Sequence, residues 1–485
     1  MKKVNRFIVF AAFALCVMPL RAQFLKNLGK KLKEKTEQVA KPATQQEDKS
    51  VTDKVAAPSG AANVKSQSKV MHATPDTKFI NLPGAEKVSE MHGGMFGVVC
   101  NSYDWAFFNR EGKMVFAPEW RNPTGRDADV CFDNGAVIMA EKSPSGRADK
   151  LFILYSDGTK KALHAHYTKP TQFVDGVARV LKRAPQQAGG TYVYINTAGK
   201  EVMPVANEKV KYGLGATDRV GKLSDGLRAH YWVGVEKWGY IDRNGKTVIQ
   251  PAYEVARDFS EGRAVVATVK GYQVSYSVID TLGKVIFTTM PTTVASDCHD
   301  GRIIVNDETN GVDNVYDRDG KLLKRYKHIT PFYGGHAWAL RMPEEVGSNE
   351  SAEKMVAINA DFEVVTHLSV TFLERRPDNF YGFTTGASGL ATMGMNGHAY
   401  VFRPDGTIIM RSSEDGKIGS MTEDMAAQVD LSPYDNQLLG FVNTDGEFIV
   451  LFKTEYTKLA SYKHRDADGK EVEVQIDWVT PSVQK

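Results

Sequence analysis

Short runs in which aromatic and β-branched residues alternate with polar ones, each broken by Asn, Asp or Gly, fill most of this chain. The clearest is Lys237-Trp238-Gly239-Tyr240-Ile241-Asp242-Arg243-Asn244-Gly245-Lys246-Thr247-Val248-Ile249-Gln250-Pro251. Trp238 to Asp242 reads as a strand, because aromatic and β-branched groups fit a half-buried pleated surface. Asp242 to Gly245 is turn chemistry: Asp opens a type I turn well, and Gly at its fourth position accepts φ > 0. Thr247-Val248-Ile249 is the returning strand. Pro251 has no N–H and ends the ladder. The stretch is a hairpin whose register is set by its turn.

The hairpin recurs. Its glycine has counterparts at Gly112, Gly158, Gly199, Gly245, Gly283, Gly320, Gly406 and Gly446, with a degenerate copy in which Phe362 takes the glycine place. Three residues earlier stand Asn109, Asn196, Asp242, Asp280, Asp317, Asn359 and Asn443; Tyr155 and Arg403 are the exceptions. A second signature, Phe259-Ser260-Glu261-Gly262-Arg263-Ala264-Val265-Val266, has relatives at 132–139, 173–180, 223–230, 298–305 and 332–339, and weaker ones near Gly94, Gly389 and Asp424. The two signatures alternate nine times without a break. Each unit of roughly 40 residues therefore holds three or four antiparallel strands, too few to bury their own faces, so units must stack. The expectation is an all-β repeat domain over 76–485, arranged as a β-propeller; the alternative is an open β-solenoid. Asp466-Ala467-Asp468-Gly469-Lys470, with Val472, Val474 and Ile476, starts a tenth hairpin that closes the ring or extends the last unit.

Glu236-Lys237-Trp238-Gly239-Tyr240-Ile241-Asp242, followed by Asn244-Gly245-Lys246, Pro251-Ala252-Tyr253 and Phe259-Ser260-Glu261-Gly262, resembles the bacterial WG-repeat (KWG-repeat) family. Trp-Gly occurs once. Val193-Tyr194, Ser277-Val278 and Leu439-Gly440 hold its place elsewhere. The resemblance implies a secreted or surface repeat protein with a binding role, and it brings no catalytic residues.

The first residues differ in kind. Lys2, Lys3 and Arg6 precede an apolar run, Phe7 to Leu20, that is short for a membrane span. This is a signal peptide over 1–22, with cleavage between Ala22 and Gln23. Residues 23–75 read as a basic, mostly disordered tether, in which Phe24, Leu25, Leu28 and Leu32 mark one face of a short helix among lysines. A solvated tether is the simpler reading of this stretch, and a weak membrane-surface contact through 24–35 is the alternative. The chain carries +3 overall. Residues 1–22 hold four cations and no acid, and 23–69 hold ten Lys against five acids, so the remainder is 3 − 4 − 5 = −6. A mildly acidic body argues against nucleic acid as the partner. The expected place is the periplasm, the cell surface or the medium.

Candidate chemistry is sparse. Gly245-Lys246-Thr247 ends like a phosphate-binding loop but lacks the upstream spacing and the following helix. Asp317-Arg318-Asp319-Gly320 and Asp466-Ala467-Asp468-Gly469 resemble calcium-loop fragments but fall at the repeated turn. His164-Ala165-His166 places two imidazoles on one face if it is a strand, yet zinc asks for three or four ligands. Cys100, Cys131 and Cys298 remain in the mature chain; Cys100–Cys131 is the conceivable pair, and small buried thiols are the simpler reading. Trp105, Trp120, Trp232, Trp238, Trp338, Phe132, Phe259 and Phe332 suit packing between units, or a sugar-binding face. The expectation is a non-enzymatic scaffold that binds a protein or glycan partner, without cofactor or metal. The alternative is a carbohydrate-active enzyme with paired carboxylates at the propeller axis.

Overall fold

The structure is a computed structural model. It describes residues 69–483, apart from 125–129, 143–149, 184–188, 204–208, 211–219, 348–353, 372–389, 432–437, 466–469 and a few single or paired positions. The fifth unit shows the complete pattern: Val255–Ala256, Ala264–Lys270, Gln273–Ile279 and Val285–Thr288 form one antiparallel meander. The seventh unit has four strands as well, whereas the fourth has three, Leu227–Trp232, Lys237–Asp242 and Thr247–Tyr253.

An opening turn joins the first strand of a unit to the second. A middle connection joins the second to the third, and a hairpin turn joins the third to the fourth. The hairpin turn is the one read around Gly245. Asp242 Oδ1 accepts the N–H groups of Asn244 and Lys246 at 2.8 and 2.9 Å, and Gly245 has φ +83°. Asn196, Asp280, Asp317, Asn359 and Asn443 accept the same two donors in their own units. The two exceptions solve the problem locally. Where Tyr155 and Arg403 replace Asx, Asp157 and Asp405 accept the N–H of Thr159 and Thr407 at 2.9 Å. Phe362 keeps the left-handed geometry, φ +66°, without being glycine. Its ring meets Phe332 edge-on at 5.9 Å, so packing offsets the backbone strain.

The opening turn is the second signature. Asn134-Gly135, Asp175-Gly176, Asp225-Gly226, Glu261-Gly262 and Asp300-Gly301 all have φ > 0 at both residues, the type I′ geometry that matches strand twist. Just before it, Ser89, Thr171, Ser296 and Thr330 each accept, through the side-chain oxygen, the N–H of the residue eight positions on. In the second unit Val130 stands at that position. Gln172 of the third unit substitutes: its Oε1 accepts the Ile138 N–H and its Nε2 donates to the Ile138 carbonyl.

The apolar core lies between units. One buried cluster joins the first and second units, and others join the second to the third, the fourth to the fifth, the fifth to the sixth and the sixth to the seventh. Trp338 reaches the eighth unit, 5.1 Å from Phe402, and a further cluster joins the eighth to the ninth. The ninth packs on the first: Phe96 lies 4.3 Å from Phe441, and Phe108 5.0 Å from Phe452. The array thus closes as a β-propeller rather than running open as a solenoid.

Closure uses a strand that the sequence reading placed partly in the tether. Lys69–Ile80 pairs in parallel with Ile408–Lys417 at one end and with Glu447–Lys453 at the other, so the eighth and ninth units share one sheet. Alternation in Val70, His72 and Thr74 is weak, and Pro75 broke the pattern, which is why residues 69–75 read as linker. The first and second units also fuse, through Trp120 and Arg121 pairing with Glu141 and Ala140. The tenth hairpin, Ser461–Arg465 with Glu471–Gln475, does not close the ring. Its Tyr462 and Val474 pack beside Phe79, and the Val479 N–H donates to the Phe79 carbonyl, extending the last unit. Its turn, Asp466 to Gly469, lies outside the described residues, as do Ala22, Gln23 and the amphipathic stretch 24–35.

Candidate functional site

Opening turns of successive units touch one another. In most, a carboxylate of one turn accepts backbone N–H groups of the next. Asp133 Oδ2 takes the Gly176 N–H at 2.5 Å, and Asp175 takes that of Leu223 at 2.6 Å. Asp225 takes Gly262 at 2.8 Å, Glu261 takes Asp300 and Gly301 at 2.8 and 2.7 Å, and Asp300 takes Gly335 at 2.8 Å. Glu423 of the ninth unit grips Gly93 and Gly94 of the first at 2.5 and 3.0 Å, which ties the end of the array to its start. These carboxylates are engaged by the fold, because a charged acceptor makes a strong hydrogen bond to a backbone N–H. The acids preceding the signature glycine at 175, 225, 261 and 300 were visible in the sequence; their reach to the neighbouring unit was not.

Two junctions carry buried polar groups beside their apolar clusters. Between the third and fourth units, Arg179 and Arg228 are each 2 % exposed. The Arg179 guanidinium stacks 4.6 Å over the Tyr192 ring. Arg228 donates to the carbonyls of Gly221 and Val174 and lies 3.6 Å from Asp175; burial lowers its pKa from the usual value. Tyr194 Oη and His230 Nδ1 are 2.7 Å apart in the same seam. Between the sixth and seventh units, Asp313 holds His328 Nδ1 at 2.7 Å, accepts Asn306 Nδ2 at 2.6 Å and accepts the Ile329 N–H at 2.9 Å. Arg set among apolar residues in Val177-Ala178-Arg179-Val180 and in Leu227-Arg228-Ala229 was the available signal.

The aromatic candidates are all core. Trp105, Trp120, Trp232, Trp238, Trp338, Phe132, Phe259 and Phe332 are buried, in clusters between neighbouring units. None offers a flat exposed face to a sugar. His164 and His166 lie in a turn, not a strand, with rings 3.9 Å apart; burial, then His164, pulls the His166 pKa down. No group of three or more metal-type side chains converges among the described residues. Asp317 and Gly320 serve the hairpin turn.

The three cysteines are unpaired. Cys100 and Cys298 are buried, and burial pushes both thiols up to about 12. Cys131 is partly exposed, in the junction between the first and second units. Near it, His92 Nε2 lies 3.3 Å from Glu90 Oε2. The thiol, then the carboxylate, raises the His92 imidazole to about 10.

Gly239 shows why a glycine follows Trp238. A β-carbon there would sit 2.5 Å from the Ile249 carbonyl oxygen, and the register shifts at this point. Gly440, in the equivalent Leu439-Gly440, is tighter still, at 2.1 Å from the Val450 carbonyl oxygen. Residues 238–268 match the family model of the WG containing repeat. The WG match spans the third and fourth strands of the fourth unit and the opening turn of the fifth. No curated protein matches the chain. Among solved structures, the uncharacterized protein lmo1340 from Listeria monocytogenes EGD-e is similar at 12 % identity, covering 70 % of this chain and 97 % of that one, with a TM-score of 0.34. Hsv2p of Kluyveromyces lactis is similar at 14 %, covering 58 % and 95 %, at 0.30. The WD40 β-propeller domain of Doa1 is similar at 12 %, covering 69 % and 95 %, at 0.25. Superpositions this loose carry no argument, and the ring rests on the chain's own strand pairing and cores.

Proposed function

We propose that this WG-like chain is an exported, non-enzymatic repeat scaffold that holds a protein or glycan partner at the cell envelope. The rim of middle connections is the binding face. One observation carries the reading. Opening and hairpin turns repeat from unit to unit, whereas the middle connections do not: they occupy 271–272 in the fifth unit, 101–103 in the first, 233–236 in the fourth and 341–353 in the seventh. Connections that vary on a repeated frame are where recognition resides. A signal-like start and a basic tether support export and placement at the envelope. The WG match supports the repeat frame.

The test is a pull-down from envelope fractions and a glycan array, run with the mature chain and with a variant whose 341–353 connection is cut to a two-residue turn. Capture of one partner by the wild type and its loss in the folded variant supports the reading. Equal capture by both, or turnover of a glycan by the wild type, sinks it.

A further inference from the structure

The hairpin turns of the fourth, fifth and sixth units adjoin one another. A β-carbon on Gly283 would lie 3.2 Å from the Ile249 side chain, and one on Gly320 would lie 2.8 Å from that of Phe287. Each turn therefore rests on the fourth strand of the unit before it. Arg243, Lys246, Lys284 and Lys321 are exposed on these turns, and none of them makes an ion pair among the described residues. The neighbouring acids are engaged elsewhere. Asp242, Asp280 and Asp317 are half-buried and accept N–H groups of their own turns. Asp319 pairs with Arg263 at 3.0 Å. The outermost charge of this surface is thus positive.

Aliphatic side chains stand among the cations. Leu282, at the tip of the fifth turn, is 84 % exposed. Val248, Val285, Leu322 and Leu323 are exposed on the strands that leave the three turns. The pattern stops at the seventh unit, where Glu363 takes the place of the lysine. Apolar groups scattered singly are ordinary on a surface, but a contiguous set rimmed by charge marks a contact. A soluble polyanion would engage the cations and leave Leu282 in water. An anionic bilayer uses both, since its phosphates attract the cations and the boundary between headgroups and acyl chains takes the aliphatic groups.

We propose that these three turns form a peripheral docking surface for an anionic lipid bilayer, with Leu282 inserted below the headgroups and the cations on lipid phosphates. The turns stand at the opposite end of the units from the middle connections, so docking leaves those connections facing away from the lipid.

The experiment sediments the mature chain with vesicles of equal parts phosphatidylcholine and phosphatidylglycerol, and with vesicles of phosphatidylcholine alone. Binding to the mixed vesicles and little binding to the neutral ones is expected. A variant combining Lys246→Gln, Lys284→Gln and Lys321→Gln should bind the mixed vesicles on the order of a hundredfold more weakly, since each cation near such a surface contributes about a factor of five. Leu282→Ser should weaken binding roughly fivefold without altering its dependence on salt. Both variants change exposed side chains only, and circular dichroism checks that each folds; should one fail, the other decides. The basic tether is present throughout, so the losses report the turns. The proposal is overturned if the wild type does not bind the mixed vesicles, or if the lysine variant binds them as well as the wild type, which leaves the contact to the tether. It is equally overturned if Leu282→Ser binds unchanged, because the site then reads charge alone.

Discussion

At one end of the units, most of the described turns are built on the same backbone angles and are tied to the next. At the other end, successive connections share neither length nor residues. Asp225, Glu261 and Asp300 each grip the following turn, while 271–272 and 341–353 occupy equivalent places in the chain. The difference teaches where the fold is held. Stability resides in the junction cores and in the turns that align them, so the far rim is free to vary.

Substitutions at the two ends should therefore separate sharply. The largest effect is expected from Phe441→Ala, which empties the junction where the ninth unit meets the first. Loss of a buried aromatic costs about 3–5 kcal/mol, read as a lower midpoint in urea unfolding. Gly239→Ala comes next, since its new methyl meets the Ile249 carbonyl oxygen. Overpacking of this kind costs about 1–3 kcal/mol, and the same assay reads it. Glu261→Ala removes the acceptor for two N–H groups at an exposed turn; about 1 kcal/mol is expected after solvent screening.

The seam at His92 sharpens the comparison by pH. A group held above its ordinary pKa binds its proton more tightly when folded. Its contribution is full below about pH 6.5 and drains as pH rises towards the folded value of about 10. The gap in thermal midpoint between wild type and His92→Gln should narrow across that window; a constant gap would refute the assignment. The smallest stability effect is expected at the rim. Halving the length of 341–353 should change stability by only about 0.6 kcal/mol, since loop-closure entropy varies slowly with length.

Much of this frame could be read from residues alone. Asx followed three residues later by Gly gives a turn whose acceptor and φ are both dictated locally, so Gly199, Gly283 and Gly446 took their predicted geometry. The tight opening turn was equally legible, because Asp-Gly and Asn-Gly favour it. What stayed hidden depends on partners distant in the chain. Lys69–Ile80 has no recognisable pattern until its two parallel neighbours are present. Arg179 and Arg228 look like solvent-facing residues until a second sheet covers them. Glu423 grips Gly93 and Gly94 only because the array returns to its start.

Closure by Lys69–Ile80 has a consequence for synthesis. This segment leaves the ribosome before any repeat, yet Met410 and Glu447, which begin its two pairings with Lys69 and His72, are made only after most of the repeats. Through most of translation its amide edge has nothing to bind, a condition that invites mispairing with other chains. The nascent protein must either keep that edge shielded or complete itself quickly once the C-terminal segments emerge.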